Sequence, residues 1–148
     1  MKLFTKHLGE IEYEQSNIIT FGDGLPGFIE EKSFIIVLSG DDSFPFHHLQ
    51  SITNPDIAFI ITNPFLFVAD YDFVVPEEVV AKLDIEDLTD VSIYTITTIP
   101  DEVENTTINC VAPIVVNNTL NVAMQVILQD RTDIKQLIFT QVKSQGVE

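Results

Sequence analysis

Short runs of β-branched and aromatic residues, broken by turn-forming residues every 8–20 positions, limit the fold of this chain more than any other feature. Glu10-Ile-Glu-Tyr-Glu14 alternates polar and apolar positions, the pattern of a half-buried strand. Asn17–Phe21, Phe34–Leu38 and Ile57–Thr62 are bounded by Gly, Pro, Asn or Asp and also read as strands. The run from Val91 to Ile99 alternates cleanly. Val91, Ile93, Thr95, Thr97 and Ile99 face one way, and Ser92, Tyr94, Ile96 and Thr98 the other. Thr107–Val111, Ile114–Val116 and Val122–Leu128 complete the set. A single short helix is predicted near residues 76–84. Pro76 suits its first position, Glu77 and Glu78 favour its positive end, and Val79, Val80 and Leu83 form an apolar stripe. Many strands, one helix and no βα alternation make the chain mainly β, an antiparallel barrel or sandwich.

At 148 residues and 45% apolar, the chain is expected to form one domain over 1–148, with the tail from Lys143 fraying. It carries 23 acids against 7 bases, a net charge of −16. From Ser33 to Asp130 Lys82 is the only base among 15 acids, so this stretch alone holds −14. A phosphate-binding face needs clustered Lys and Arg, so nucleic acid and anionic membrane are excluded as direct partners. A specific charge-driven partner would be basic. The plainer role for such charge is keeping a chain with 11 Phe in solution. No signal-peptide pattern opens the sequence, and no apolar run approaches the ~20 residues of a membrane span, which predicts a cytoplasmic protein.

The motifs that could carry chemistry weigh little. Gly22-Asp-Gly-Leu-Pro-Gly27 matches the dinucleotide pattern GxGxxG, but there is no room for a helix before the strand at Ser33. Gly24, Pro26 and Gly27 are therefore read as turn-forming, with no cofactor. Cys110, the only cysteine, lies in a strand run and reads as a buried, inert thiol with nothing near it basic enough to lower its pKa. His47 and His48 would point to opposite faces of a strand, which suits no metal ion. Phe59, Phe65, Phe67, Tyr71 and Phe73 read as core. A rival to a binding role is a small acidic enzyme using Cys110 or the carboxylate pair Asp70 and Asp72.

Several segments, taken in order, resemble the FliW flagellar assembly factor family. They are Ile18-Ile-Thr-Phe-Gly-Asp-Gly-Leu-Pro-Gly-Phe-Ile-Glu30, Pro45-Phe-His-His-Leu-Gln-Ser51, Asn54-Pro-Asp-Ile-Ala-Phe59, Asn63-Pro-Phe-Leu-Phe-Val-Ala-Asp-Tyr71, Ala112-Pro-Ile-Val-Val-Asn117 and Ala123-Met-Gln-Val-Ile-Leu128. The resemblance implies a small β-barrel-like domain without enzymatic activity. It also implies two partners, flagellin and the RNA-binding translational repressor CsrA, exchanged as secretion clears flagellin from the cytoplasm. The acidic charge is consistent with a basic RNA-binding partner. Six residues are the expected contacts. Asp101, Glu102 and Glu104 follow Pro100 at the end of the alternating strand. Asp70 and Asp72 flank Tyr71, an amphipathic anchor, in a segment similar to the family's Asp-Tyr element.

Overall fold

The alternating run at Val91 becomes the strand around which the sheet is organised. The computed structural model describes residues 1–22, 30–38, 45–68, 71, 75–129 and 131–139. Strands β1 (Lys2–Thr5) and β2 (Gly9–Glu12) form a separate antiparallel hairpin. The main sheet contains β3 (Ile19–Phe21), β4 (Ser33–Val37), β5 (Phe46–Ser51), β6 (Ala58–Thr62), β7 (Val91–Thr98), β8 (Thr107–Ile108), β9 (Ile114–Asn117), β10 (Val122–Gln125) and β11 (Gln136–Leu137). β7 pairs with β6 along one edge. On the other it pairs first with β9, through Val91–Asn117 to Tyr94–Ile114, and then with β8, through Thr97–Ile108 and Thr98–Thr107. The order β7-β6-β5-β4-β3-β10-β9 returns to β7, which closes a seven-stranded barrel. β8 and β11 hang off it as a flap.

One pairing departs from the antiparallel expectation. β10 runs parallel to β3, with Val122 opposite Thr20 and Ala123 opposite Phe21. The reason is parity: a ring of strands that alternate in direction cannot close on an odd number, so seven strands require one parallel seam.

The alternation predicted for β7 separates two cores. Tyr94 and Ile96 point into the barrel, where they pack with Ile19, Phe21, Phe34, Leu49, Ile61 and Ile114. Phe21 and Phe34 meet edge to face at 5.3 Å and 75°, and burying each ring contributes about 2–3 kcal/mol. Val91 and Ile93 point outward beneath the helix α1 (Glu77–Lys82), against its Val79 and the following Leu83. Pro76 stands one position ahead of the first helical turn, as its cap, and its carbonyl accepts from the Val79 and Val80 amides at 2.9 and 3.0 Å. The helix stops at Leu83 because Asp84 adopts a left-handed backbone, φ 51°.

Three elements escaped the strand pattern, among them the two-residue β11. β1 carries too few apolar residues, and β5 is broken by His47, His48 and Gln50. Gln50 is nonetheless buried. Its Nε2 donates to the carbonyls of Ser51, Pro55 and Ile57 at 2.9, 3.3 and 3.1 Å, shaping the β5–β6 loop. The Lys6 amide donates to the Pro55 carbonyl at 3.1 Å, tying the tip of the β1–β2 hairpin to that loop. Gly24, Pro26 and Gly27 lie outside the described residues, as does the tail from Lys143.

Candidate partner-binding site

β7 leaves the barrel at Thr98 and delivers Asp101, Glu102 and Glu104 to a connecting loop, where all three are exposed. The loop is well braced. The Asn105 amide donates to the Glu102 carbonyl at 2.9 Å, and Asn105 Nδ2 to Glu102 Oε2 at 3.1 Å. Buried Thr106 anchors its far end, with Oγ1 donating to the Val103 carbonyl at 2.6 Å. A braced loop loses little conformational entropy on binding. At its crown Val103 is 58% exposed among the three acids. Val103 is not among the six expected contacts, although a β-branched apolar side chain inside an acidic turn is the signal for it. An apolar centre with a charged rim is the usual anatomy of a protein interface.

Tyr71 is placed otherwise than a surface anchor would be. It is 3% exposed, so its ring offers a partner almost no area. Its hydroxyl donates to the Cys110 carbonyl at 2.9 Å, Phe65 packs on it at 5.7 Å, and the Arg131 guanidinium lies 4.6 Å over the ring. Burial, reinforced by Cys110, holds its phenol above the ordinary value. Asp70 and Asp72 lie outside the described residues. Tyr71 and the acidic loop do share one side of the barrel. Tyr71 belongs to the apolar cluster of Phe46, Ile108, Cys110 and Ile138, and the Ile138 amide donates to the Thr106 carbonyl at 3.3 Å. Of the aromatic residues read as core, Phe59 packs near Phe34 at 6.3 Å, and Phe67 stacks on Phe46 at 5.9 Å. Phe65 is half exposed on the turn Pro64–Leu66, and Phe73 lies outside the described residues.

The catalytic alternative finds little support. Cys110 is fully buried. Arg131 lies near it, yet its charge does not bring the thiol down, as the sequence predicts. Burial first and Asp133 second outweigh that charge and push the thiol up to about 11. Arg131 is engaged elsewhere: Nε and Nη2 donate to Asp133 Oδ1 and Oδ2 at 3.0 and 2.6 Å. His47 and His48 occupy opposite faces of β5, as expected. Among the described residues no three His, Cys, Asp or Glu side chains converge so as to hold a metal ion. Among them, too, no helix is long and apolar enough to cross a membrane.

The FliW protein family model matches residues 2–138. The chain belongs to the FliW family. Relatives named flagellar assembly factor FliW agree in extent. The one from Thermoanaerobacter pseudethanolicus is 40% identical over 145 residues, 97% of each chain. That of Bacillus subtilis is 42% identical over 88% of this chain and 90% of its own. That of Alkaliphilus metalliredigens reaches 48% over 78% of this chain and 71% of its own. A crystal structure of the flagellar assembly factor FliW superimposes with a TM-score of 0.83 at 35% identity, covering 93% of this chain and 94% of that one. The barrel with its short helix is thus the FliW fold.

Proposed function

We propose that this chain is a non-catalytic, cytoplasmic regulator of flagellar assembly, folded as one domain, that binds flagellin and CsrA in turn and so relieves CsrA's repression of translation. The observation that carries this reading is the FliW match spanning residues 2–138, with relatives named flagellar assembly factors. The acidic loop supports it independently. A protein that binds RNA presents Lys and Arg, and Asp101, Glu102 and Glu104 around Val103 are complementary to such a face. Like charge would also keep RNA itself away.

The test reverses the loop's charge. Changing Asp101, Glu102 and Glu104 together to Lys gives up the exposed side-chain bond from Asn105 to Glu102 but keeps the loop's backbone bonds. It should leave the melting curve nearly unmoved, because exposed substitutions usually cost within about 0.5 kcal/mol. Calorimetry should show CsrA binding weakened by about tenfold or more, while flagellin, bound through another face, keeps its affinity. A variant that binds CsrA as tightly as the parent would remove this loop from the contact. Val103→Ala should also weaken CsrA binding, with a smaller change in association rate than the charge reversal.

A further inference from the structure

The β1–β2 hairpin has a property that its short sequence conceals. The Met1 ammonium donates to the Tyr13 carbonyl at 2.7 Å, and the Tyr13 amide to the Met1 carbonyl at 2.9 Å. Met1 and Tyr13 are therefore a hydrogen-bonded pair. Bonded and non-bonded pairs alternate along an antiparallel ladder. With Leu3 opposite Ile11 and Thr5 opposite Gly9, those two pairs are bonded, and Phe4–Glu10 and Lys2–Glu12 are not. The amides and carbonyls of Glu10 and Glu12 consequently point away from β1, along the outer edge of β2. Among the described residues these groups have no partner. Both residues are exposed, and the face that carries their side chains also holds Phe4, 71% exposed, and Lys2. Lys2 Nζ makes an exposed ion pair with Glu10 Oε1 at 3.6 Å, which among the described residues leaves Glu12 as the carboxylate not paired there.

We infer that the outer edge of β2 is a docking edge, to which an extended, lysine- or arginine-rich segment of a partner adds as a third strand. The main chain of that segment would bond to Glu10 and Glu12. The residues directly opposite them share their face, so alternate basic side chains would lie against the two carboxylates, with Phe4 covering their aliphatic stems. The same geometry selects the occupant. Edge strands are normally blunted by charge against pairing with copies of themselves. Here a second β2 would set Glu10 and Glu12 against their own kind, whereas a basic strand is attracted. A two-stranded ribbon is also marginal alone, and a third strand is the increment that makes such a sheet stable. This surface is distinct from the loop at Asp101, and the inference does not depend on the identity of the partner proposed there.

The probe is a capped peptide of alternating Lys and Val, about ten residues long. Its control is the same peptide N-methylated at each Lys, which keeps the charge and removes the donors facing Glu10 and Glu12. Hydrogen exchange is followed by NMR on the full chain. The unmodified peptide should slow exchange at the Glu10 and Glu12 amides by about tenfold or more and leave the already bonded Ile11 amide little changed. The methylated peptide should bind at least about tenfold more weakly. Glu12→Pro deletes an outward donor without touching a hairpin bond, and it should lose the peptide, whereas Glu12→Gln should retain part of the binding. Equal affinity for the two peptides would mean attraction by charge alone and would overturn the proposal. Protection of the same amides that rises with protein concentration in the absence of peptide would assign the edge to a second copy, and overturn it equally.

Discussion

Two residues on the outer face of the barrel, Cys110 and Asp133, turn their surroundings into measurable behaviour. With its thiol pushed up to about 11, Cys110 is ionised in only about one molecule in ten thousand at neutral pH. A thiol reagent should therefore modify the native protein no faster than it opens; rapid, complete modification of the folded chain would revive a nucleophilic role. Asp133 responds to pH. Its hydrogen bonds from Arg131 hold its carboxyl below the ordinary value. A carboxylate depressed in the folded state stabilises above its unfolded value, near 3.9, and that contribution is lost as pH falls through the folded value. Parent and Asp133→Asn should therefore differ in melting temperature at pH 7, by the equivalent of about 1 kcal/mol or less for so partly exposed a pair, and the gap should narrow as pH falls through the folded value. A gap that ignores pH would sink the assignment. The same neighbourhood shows how far the site could be read from sequence. The exposure of Asp101, Glu102 and Glu104 was legible, since charged residues after a strand end and a proline have nowhere to be buried. That of Tyr71 was not. Its aromatic neighbours read it as core and its flanking acids as a surface anchor, and it is Cys110 and Arg131, distant along the chain, that decide for the core.

At the scale of elements, α1 illustrates how little local propensity decides. Six residues with two adjacent valines would not hold a helix in water, and it exists because Val79 and Leu83 are buried against Val115 on β9. Its end offers a direct test. Asp84 takes a left-handed conformation that an L side chain adopts at a cost. Asp84→Gly should raise stability by about 0.5–1 kcal/mol in urea denaturation, because the strain relieved exceeds the added freedom of the unfolded chain. Loss of stability would mean that the Asp84 side chain holds the turn. The strands were legible wherever two-residue alternation met a two-sided environment, above all in β7, where one face fills the barrel and the other carries the helix. β5 was not, because Gln50 gives its Nε2 protons to three backbone carbonyls and is buried as though apolar. β10 ends at Gln125, three residues before its apolar run does. Val126 and Leu128 still donate in register to the Pro113 and Val111 carbonyls, but Pro113 has no N–H and the Val111 amide donates to Asn109 Oδ1, so neither bond is returned.

For the molecule as a whole, a net charge of −16 acts at longer range than any contact described above. Exposed charges steer an oppositely charged partner and are screened over about 8 Å at physiological salt. The association rate with CsrA should fall steeply as ionic strength rises, while the dissociation rate changes less. Stopped-flow rates that stay flat from low to high salt would assign the charge to solubility alone.

The parallel seam has a consequence for how the protein is born. Thr20 on β3 waits for Val122 on β10, about a hundred residues later, before the ring can close. Translated at roughly 5–20 residues per second, the nascent chain spends on the order of 5–20 seconds as an open sheet. Throughout that interval the free edge of β3 and the rings of Phe21 and Phe34 face the ribosome's surroundings instead of one another's partners. Protection during synthesis is thus required at the N-terminal third of the chain, and the last barrel strand to emerge ends that requirement.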